Sequence, residues 1–400
     1  MNQGSRSNES IPLIRFQKGR SSRVRAGHPW AFSNEIDMNS EAKALPAGGL
    51  VRLQDAGDEI LGIACFNPHS LIAARLLTRD PAQSIDAAFL AGRLKKALAL
   101  RECLFDRPFY RLIHAEADGL PGLVVDRFGA SVTVQANSAG AETLRPLILE
   151  ALESVLAPAS ILWDGTSSVR KLEGIETCYD VVKGSFDAPL EIEENGARFF
   201  AHPGEGQKTG WFFDQRPNRA LAAQLAKGRS VLDLYCYAGG FGVLAAIQGA
   251  DSVLCADRSA QALDLARMAA DRNNVGAKMR FEKAEAFEFL EQAGKGAERF
   301  GLVIADPPAF VKSKKDLAQG AKGYRKLARL AANLVEPGGF LVIASCSHHM
   351  TPDLFLAEVV QGIGRRSARI LAQSGAGPDH PVHPHLPESA YLKALFLQLD

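Results

Sequence analysis

Four acidic side chains stand at the ends of apolar segments in the second half of the chain. Asp257, Glu285 and Asp306 each follow such a segment, and Asp233 lies just before Gly239-Gly240-Phe241-Gly242. Ligands of parallel sheets bind outside the carboxyl ends of the strands, so these residues are expected to line one crevice. A carboxylate about twenty residues after a glycine loop can accept hydrogen bonds from ribose hydroxyls. The pattern indicates a cofactor that contains adenosine.

The glycines alone do not identify the cofactor, because a strand that turns tightly into a helix also needs glycine. The chain lacks the Gly-x-Gly-x-x-Gly pattern that brings backbone close to a pyrophosphate, and Asp233 precedes the loop. A zwitterionic ligand without phosphates fits this combination better than a dinucleotide does. We therefore expect S-adenosylmethionine (SAM) as the cofactor, with Tyr235, Gly239 and Asp306 among its contacts.

The segment Asp306-Pro307-Pro308 follows the fourth of these apolar segments. Proline biases the preceding residue toward an extended conformation, so Asp306 would present its carboxylate to a flat substrate; a simple strand terminator is the alternative. The stretch that follows contains one acid, Asp316, and seven basic residues: Lys312, Lys314, Lys315, Lys322, Arg325, Lys326 and Arg329. A solvated helix face would explain the charge, but its place beside the turn favours RNA binding.

Cys346 lies among polar residues, in Ser345-Cys346-Ser347, directly after the last of these segments. Cysteine is commonly a small buried apolar residue, which is the interpretation for Cys236 and Cys255. Cys346, at the carboxyl edge and opposite Asp306, is instead placed to be a nucleophile. Carbon 5 of a pyrimidine cannot attack a methyl sulfonium unaided, whereas thiolate addition at carbon 6 makes it nucleophilic. Asp306, protonated or hydrogen-bonding at N3, would stabilise the enamine; the base that takes the carbon 5 proton is not identified.

A second basic cluster lies between residues 10 and 34, a stretch without acids. Aromatic side chains interleave with its five basic residues, as in many nucleic-acid surfaces. A solvated loop beside a buried tryptophan is the alternative. The RNA contacts predicted here are Arg15, Lys18, Arg20, Arg23, His28 and Trp30.

The elements that must position these residues form three regions. Short apolar segments in residues 11–80, such as 50–53 and 60–66, predict a small β-barrel, followed by a linker helix in residues 81–106. Residues 107–195 predict a small α+β domain, with a helix over 141–156 and hairpins around 128–130 and 195–196. Residues 196–400 predict a catalytic α/β domain with a parallel sheet. Its expected strands span residues 230–234, 252–256, 280–282, 302–305 and 340–345.

The composition limits the remaining possibilities. The 400 residues, 46% of them hydrophobic, suffice for two or three cores. Six scattered cysteines without a Cys-x-x-Cys pair predict neither disulfides nor a zinc site. The sequence contains no apolar run of about 18 residues, so we expect no membrane span. The first residues are polar and lack the apolar core of a secretory signal, which favours a cytoplasmic protein. Because the net charge is only +1, binding to a polyanion must depend on the local clusters.

Motifs over nearly the whole chain resemble those of one enzyme family. They are Lys18-Gly19-Arg20, His28-Pro29-Trp30, the stretch from Asp118 to Arg127, the stretch from Gly210 to Arg216, Asp306-Pro307-Pro308-Ala309-Phe310, Ser345-Cys346-Ser347, and the stretch from His380 to Pro384. Together they resemble the large-subunit rRNA cytosine-5 methyltransferases of the RlmI type. The resemblance implies a PUA domain, a small middle domain and a Rossmann-like class I methyltransferase domain. It also implies SAM as the cofactor and ribosomal RNA as the partner.

The resemblance further assigns roles to individual residues. Phe213, Asp214, Gln215 and Arg216 would help form the methionine end of the cofactor site, Asp257 would bind the ribose, and Cys346 would be the nucleophile. The family usually has Asp-x-Phe where this chain has Glu285-Ala286-Phe287, so a longer side chain would approach the adenine amino group. His348 and His349 also depart from the family pattern, and their role is open.

Some alternatives stay open at this stage. A methyltransferase acting on guanine nitrogen would share most of these motifs but would not need Cys346. A ribosome-assembly protein with a vestigial cofactor site would not need the strand-end carboxylates. The histidines at 380, 383 and 385 could suggest a metal, but the prolines between them favour a rigid loop, and we predict no metal site. The sequence is compatible with a homodimer and does not settle the oligomeric state.

Overall fold

The computed structural model describes residues 11–203 and 210–400. They form two compact units. One contains the described residues up to Ala188, Pro203, Gly210 and Trp211, together with the segment Asp379–Ser389. The other contains Pro189–His202, Phe212–Pro378 and Ala390–Asp400. Within the described residues, no helix is both long enough and apolar enough to cross a membrane.

The first unit begins with a five-stranded sheet in the strand order β1-β3-β4-β5-β2. Side chains that alternate inward along it, including Ile14, Leu53 and Phe66, form its core. This sheet confirms the small β domain expected at the amino-terminal end. Its elements are β1 (Leu13–Arg15), α1 (Ser22–Arg25), β2 (Trp30–Ala31), α2 (Ser40–Ala44), β3 (Gly49–Gln54), β4 (Ile60–Phe66) and β5 (Ala74–Thr78).

The middle part of this unit is a second five-stranded sheet, in the order β10-β9-β8-β7-β6. Its elements are α3 (Ala87–Leu104), β6 (Phe109–His114), β7 (Leu123–Phe128), β8 (Ser131–Ala136), α4 (Ala139–Thr143), α5 (Arg145–Leu156), β9 (Ser160–Asp164) and β10 (Tyr179–Lys183). The hairpin of β7 and β8 was predicted. The single helix expected over 141–156 is instead two helices, because Pro146 stands in the first turn of α5 and cannot continue a preceding helix.

Helix α3 differs from the linker that the sequence suggested. Its buried residues Leu90, Leu94 and Ala97 belong to the same core cluster as Tyr110 and Trp163 of the middle sheet. The helix begins at Asp86, whose carboxylate accepts a hydrogen bond from the Phe89 amide over 2.8 Å. Since one face of α3 fills this core, the helix is part of the middle domain and not a spacer.

The second unit begins with a hairpin and is dominated by a seven-stranded sheet. The hairpin is β11 (Leu190–Glu194) and β12 (Ala197–Ala201), as predicted, but it lies in this unit, so the expected boundary at 195–196 would have cut through it. The large sheet has the order β15-β14-β13-β16-β17-β19-β18. Its strands are β13 (Ser230–Leu234), β14 (Ser252–Asp257), β15 (Met279–Lys283), β16 (Phe300–Ala305), β17 (Val335–Ser345), β18 (Ala368–Ser374) and β19 (Lys393–Leu399).

Helices cover this sheet and bury its central strands. They are α6 (Arg216–Gln224), α7 (Gly240–Ile247), α8 (Ala260–Arg272), α9 (Ala286–Ala293), α10 (Leu317–Ala332) and α11 (Pro352–Ile363). Strand β16 is buried along its whole length, as expected for a strand with helices on both faces. Strands β13 to β17 run parallel, and β19 is antiparallel to both β17 and β18. The expected Rossmann-like fold is confirmed, and its order reverses between β13 and β16, where such sheets bind ligands.

Candidate active site at the carboxyl edge of the large sheet

The register of the parallel strands brings the predicted site residues to one edge. Leu234 pairs with both Ala256 and Ala305, and Ala305 pairs with Ile343. The residues that follow these pairs therefore leave the sheet at the same level. They include Tyr235, Asp257, Asp306 and, three residues past Ile343, Cys346.

Asp233 lies beneath the loop that follows β13. Its side chain is buried, and one carboxylate oxygen accepts a hydrogen bond from the Gly242 amide over 2.8 Å, at the start of α7. The other oxygen, Oδ1, is buried and has no hydrogen-bond partner. Burial raises the pKa of this carboxyl to about 8. A side chain on Gly242 would lie 2.5 Å from the sulfur of Cys255, so only glycine lets the helix approach Asp233.

The loop itself, residues 235–239, is called the tyrosine loop below. Tyr235 and Tyr237 have φ angles of 58° and 48°, in a left-handed region that costs bulky residues energy and is common at functional sites. Asp257 holds the loop by accepting the Tyr237 amide over 3.0 Å, and its second oxygen accepts the Ser259 amide over 2.9 Å. Burial raises the pKa of both phenols, to about 12 for Tyr237, so both stay neutral.

Two further cofactor residues predicted around this loop occupy different surroundings. Gly239 has a φ of 77°, and a side chain there would come within 3.0 Å of Ala266 and Val243, so its role in the loop is steric. Glu285 is exposed directly before α9, and its charge raises the pKa of Tyr235. Glu285 therefore lies near the tyrosine loop, on the side of β15.

The segment from Phe213 to Arg216 is fastened to its own unit. Phe213 is buried, and Asp214 accepts a hydrogen bond from the Tyr391 hydroxyl over 2.5 Å. Gln215 accepts one from the Asn218 side chain over 2.6 Å. Arg216 lies 3.4 Å from the buried Glu194 carboxylate, which also pairs with Arg219. These contacts, together with the burial of Phe213, fix the backbone of the segment at the start of α6.

Cys346 begins a turn, residues 346–350, that we call the cysteine turn. The cysteine is partly exposed, whereas Ser345 and Ser347 on either side of it are fully buried. The hydroxyl of Tyr324 on α10 lies 2.9 Å from the hydroxyls of both serines. The Ser347 hydroxyl also accepts the Val311 amide over 3.1 Å, which links the turn to the segment after Asp306. The strand ends of β16 and β17 are thus tied together next to Cys346.

Two residues of this turn's surroundings were missed in the sequence. Lys393 is buried at the start of β19, and its ammonium donates to the backbone carbonyls of Ser347 and Met350 over 2.7 and 2.8 Å. Tyr324 is buried in the middle of a helix that the sequence shows mainly as basic. Tyr324 lies three or four residues from Ala321, Leu327 and Ala328, which places it on the apolar face of α10. This spacing is the sequence feature from which its burial could have been predicted.

The basic cluster after Asp306 divides into free and paired side chains. Lys312, Lys314 and Lys315 are exposed and have no ion-pair partner among the described residues. Arg325, predicted to bind RNA, instead forms a two-point ion pair with Glu358 on α11, with distances of 2.7 and 3.0 Å. These three can therefore meet a polyanion without breaking an existing pair, as can the exposed Lys322 and Arg329 of the same cluster, whereas Lys326 pairs with Glu291 over 2.8 Å.

The amino-terminal cluster divides in the same way. Arg15 and Arg23 pair with Asp58 and Glu35. Trp30 donates its indole N–H to Glu116 over 2.8 Å, so it joins the first sheet to the middle domain. His28 accepts the Trp30 amide over 3.1 Å. The remaining predicted contacts, Lys18 and Arg20, are exposed and have no charged partner in the described part of the chain.

The histidines of the segment Asp379–Ser389 form contacts within the first unit. His380 is buried and lies 3.0 Å from the Asp379 carboxylate, with its ring 5.0 Å from that of His114. Among residues 11–203 and 210–400, no group of three His, Cys, Asp or Glu side chains could hold a metal ion.

The edge of the large sheet carries hydrogen-bonding groups that suit SAM. A buried, unpartnered oxygen on Asp233 and the second lone pairs of Asp257 are acceptors for the amino and hydroxyl groups of such a ligand. The neutral phenols and the exposed Glu285 surround the same loop.

Two parts of the chain match known protein families. Residues 149–398 match the S-adenosylmethionine-dependent methyltransferase family, and residues 14–79 match a PUA-like domain. Similar full-length proteins occur in Pseudoalteromonas atlantica, Cronobacter sakazakii and Escherichia coli. The first is 36% identical over 393 residues, 96% of this chain and 99% of the relative, and the other two are 36% identical over 392 residues, 96% of this chain and 98% of each relative. All three are named ribosomal RNA large subunit methyltransferase I.

Solved structures show the same fold. A proposed SAM-dependent methyltransferase from Streptococcus mutans has a TM-score of 0.82 at 20% identity, with 97% of this chain and 100% of that chain covered. A structure of a methyltransferase complexed with SAH has the same score and identity. The tRNA m1G37 methyltransferase of M. jannaschii reaches a TM-score of 0.50 at 15% identity, covering 78% of this chain and 79% of that one. The chain therefore belongs to the S-adenosylmethionine-dependent methyltransferases, in the family of ribosomal RNA large subunit methyltransferase I.

Proposed function

We propose that this protein methylates carbon 5 of a cytosine in large-subunit ribosomal RNA through a covalent adduct with Cys346. The names of its relatives support the ribosomal substrate. The observation that carries the choice of atom is the cysteine turn, where a partly exposed thiol follows β17, the strand that pairs with β16 directly before Asp306, at the carboxyl edge of the sheet. A guanine-nitrogen methyltransferase has no use for a thiol in this position.

SAM, when bound, supplies an electrophilic methyl group. The Cys346 thiolate forms a bond to carbon 6, and the electron pair of the carbon 5–carbon 6 double bond becomes available at carbon 5. Asp306, in its protonated form, donates a hydrogen bond to N3 and stabilises the enamine that results. After carbon 5 has gained the methyl group, its proton passes to a base, the sulfur–carbon bond breaks, and Cys346 leaves as a thiolate.

The cofactor contacts follow from the same edge. We assign Asp257 to the ribose hydroxyls and Glu285 to the adenine amino group, since Glu285 lies on the far side of the tyrosine loop. The segment from Phe213 to Arg216 forms the methionine end mainly through its fixed backbone, because its side chains already have partners. Asp233 supports the loop from below and offers its second oxygen to the ligand.

The RNA contacts are assigned to the exposed basic side chains that lack an acidic partner. Near the cysteine turn these include Lys312, Lys314 and Lys315, and in the PUA-like domain they include Lys18 and Arg20. Unpaired ammonium and guanidinium groups bind phosphates without first breaking an ion pair, so they contribute more to affinity than the paired ones.

The covalent adduct can be tested by trapping. RNA that carries 5-fluorocytosine at the target should form a stable complex with the wild-type protein and SAM, because fluorine cannot leave as the proton does and Cys346 stays bound. Denaturing electrophoresis would show the complex, and Cys346→Ala should form none. Trapping by Cys346→Ala, or its methylation of RNA at a rate near wild type, would refute the assignment and favour methylation of a guanine nitrogen. Binding of RNA without any binding of SAM would instead indicate an assembly protein.

A further inference from the structure

Lys393 is a buried cation without a counter-ion. Only 7% of the residue is exposed, and no carboxylate of the described residues forms an ion pair with it. Its two hydrogen bonds go to neutral carbonyls, those of Ser347 and Met350. Lysine is almost never fully buried unless a partner balances its charge, so this ammonium calls for an explanation.

The location of Lys393 suggests what balances it. In the antiparallel ladder of β17 and β19, Lys393 pairs with Ser345, the residue directly before Cys346. Its ammonium reaches past this pair to both ends of the segment from Ser347 to Met350, which also closes on itself through a 3.2 Å bond from the Met350 amide to the Ser347 carbonyl. Lys393 thus binds the cysteine turn from the β19 side, opposite Tyr324.

Resting on the proposed role of Cys346 as nucleophile, we propose that Lys393 is a positioning residue for that thiol. Its ammonium holds the cysteine turn through two carbonyls and supplies the positive charge that a Cys346 thiolate requires.

The electrostatics around the turn agree with this pairing. Burial lowers the pKa of the Lys393 ammonium to about 8, and a charged Cys346 raises it again. Among the described residues, the other ionisable groups around the turn are Tyr324, Asp306 and the exposed histidines His348 and His349. Tyr324 is buried and neutral, with a raised pKa; Asp306 is an acid; His348 is exposed in the turn and stacks on the Tyr391 ring at 5.2 Å.

The test separates charge from hydrogen bonding. Lys393→Met removes both, whereas Lys393→Gln keeps an N–H donor and removes only the charge. The rate of iodoacetamide alkylation of Cys346 would be followed against pH, peptide by peptide, in the full-length protein. A cation close to a thiol lowers its ionisation midpoint by about 1 to 3 pH units, so both variants should move the Cys346 midpoint upward by about that amount. Exposed Cys103 in the same protein serves as the internal reference and should not change.

A matched control is Lys278→Met. Lys278 also donates to a backbone carbonyl, that of Ala250 over 3.2 Å, in the same unit but away from the turn. Its loss should leave the Cys346 midpoint unchanged. An unchanged midpoint in Lys393→Gln, measured on protein whose melting curve matches wild type, would overturn the inference and leave Lys393 a purely structural residue. If wild-type protein fails to trap 5-fluorocytosine RNA, the proposed function itself is wrong, whatever the midpoint does.

Discussion

The tyrosine loop and the cysteine turn leave the same edge of the large sheet but are held by opposite kinds of hydrogen-bonding group. Carboxyl groups accept N–H groups of the tyrosine loop and of the adjoining start of α7, with Asp257 on Tyr237 and Asp233 on Gly242. The ammonium of Lys393 holds the cysteine turn through carbonyl oxygens. The acceptors thus lie where a ligand that donates hydrogen bonds is expected, and the cation lies where the proposed nucleophile Cys346 would become a thiolate. One sheet edge therefore combines two kinds of support side by side.

The largest effect should come from removing the Cys346 thiol, which lies in the turn that Lys393 holds. We expect Cys346→Ala to abolish methyl transfer to RNA while leaving the fold and cofactor affinity nearly intact, because carbon 5 then has no means of becoming nucleophilic. Incorporation of labelled methyl groups into RNA would measure this. Cys236→Ala is the control, since that cysteine is buried in the tyrosine loop and burial raises its pKa well above the ordinary value. If Cys346→Ala and Cys236→Ala were equally active, Cys346 would not be the nucleophile.

On the carboxylate side, Asp257→Ala should weaken cofactor binding by a few kcal/mol. A charge-assisted hydrogen bond to a ribose hydroxyl contributes about 1.5–3 kcal/mol, and the substitution also releases the Tyr237 amide. Calorimetry with S-adenosylhomocysteine would give the affinity. Asp264→Ala, on the exposed face of α8, is the control. If the affinity of Asp257→Ala equals that of wild type, Asp257 is not in the site.

On the cysteine side, the combined replacement of Lys312, Lys314 and Lys315 by alanine should weaken RNA binding and spare cofactor binding. If each lysine neutralises one phosphate, the slope of log affinity against log salt should become shallower by about 2. Filter binding over a range of salt concentrations would measure the slope. Arg325→Ala should change it little, because Glu358 already pairs with this guanidinium. An unaltered slope in the triple variant would mean that the lysines only face solvent.

The smallest effect concerns the acid beneath the tyrosine loop. The folded chain favours the neutral Asp233 carboxyl, whose pKa is raised to about 8, so its contribution to stability falls as pH rises from about 4 to about 8. Asp233→Asn keeps an acceptor for the Gly242 amide but does not titrate. Its melting temperature relative to wild type should therefore increase by a few degrees between about pH 5 and about pH 8. A constant difference across this range would show that Asp233 is not neutralised by burial.

Strands with continuous apolar runs were predictable from the sequence, and weakly apolar edge strands were not. The bounds expected for β4 and β13 agree with the structure, because each is a short apolar run between turn residues. Strand β10 was missed, since all five of its residues are exposed at the edge of the middle sheet. Such strands are determined by pairing with a neighbour, which a local pattern does not contain.

The candidate site shows the same division. Strand ends could be located from the apolar runs, so Asp257, Asp306 and Cys346 could be placed at one edge. Lys393 could not, because a lysine before an apolar run reads as a solvent-facing residue until its pairing with β17 buries it. Pairing also decides which basic residues are free, and counting charges gives Arg325 and Lys312 the same weight although only one of them has a partner.

The segment Asp379–Ser389 limits how a gene of this kind can be divided. The Asp379 carboxylate accepts the Arg111 amide over 3.1 Å, and its backbone carbonyl accepts a hydrogen bond from the fully buried Arg101 over 3.0 Å. Along the chain, however, the segment stands between β18 and β19, two neighbours in the large sheet. A gene fragment that ends before residue 379 therefore loses not only strand β19 of the large sheet but also the partner of these arginines. Recombination between related genes would have to exchange both parts together, so the halves of this enzyme are expected to be inherited as one piece.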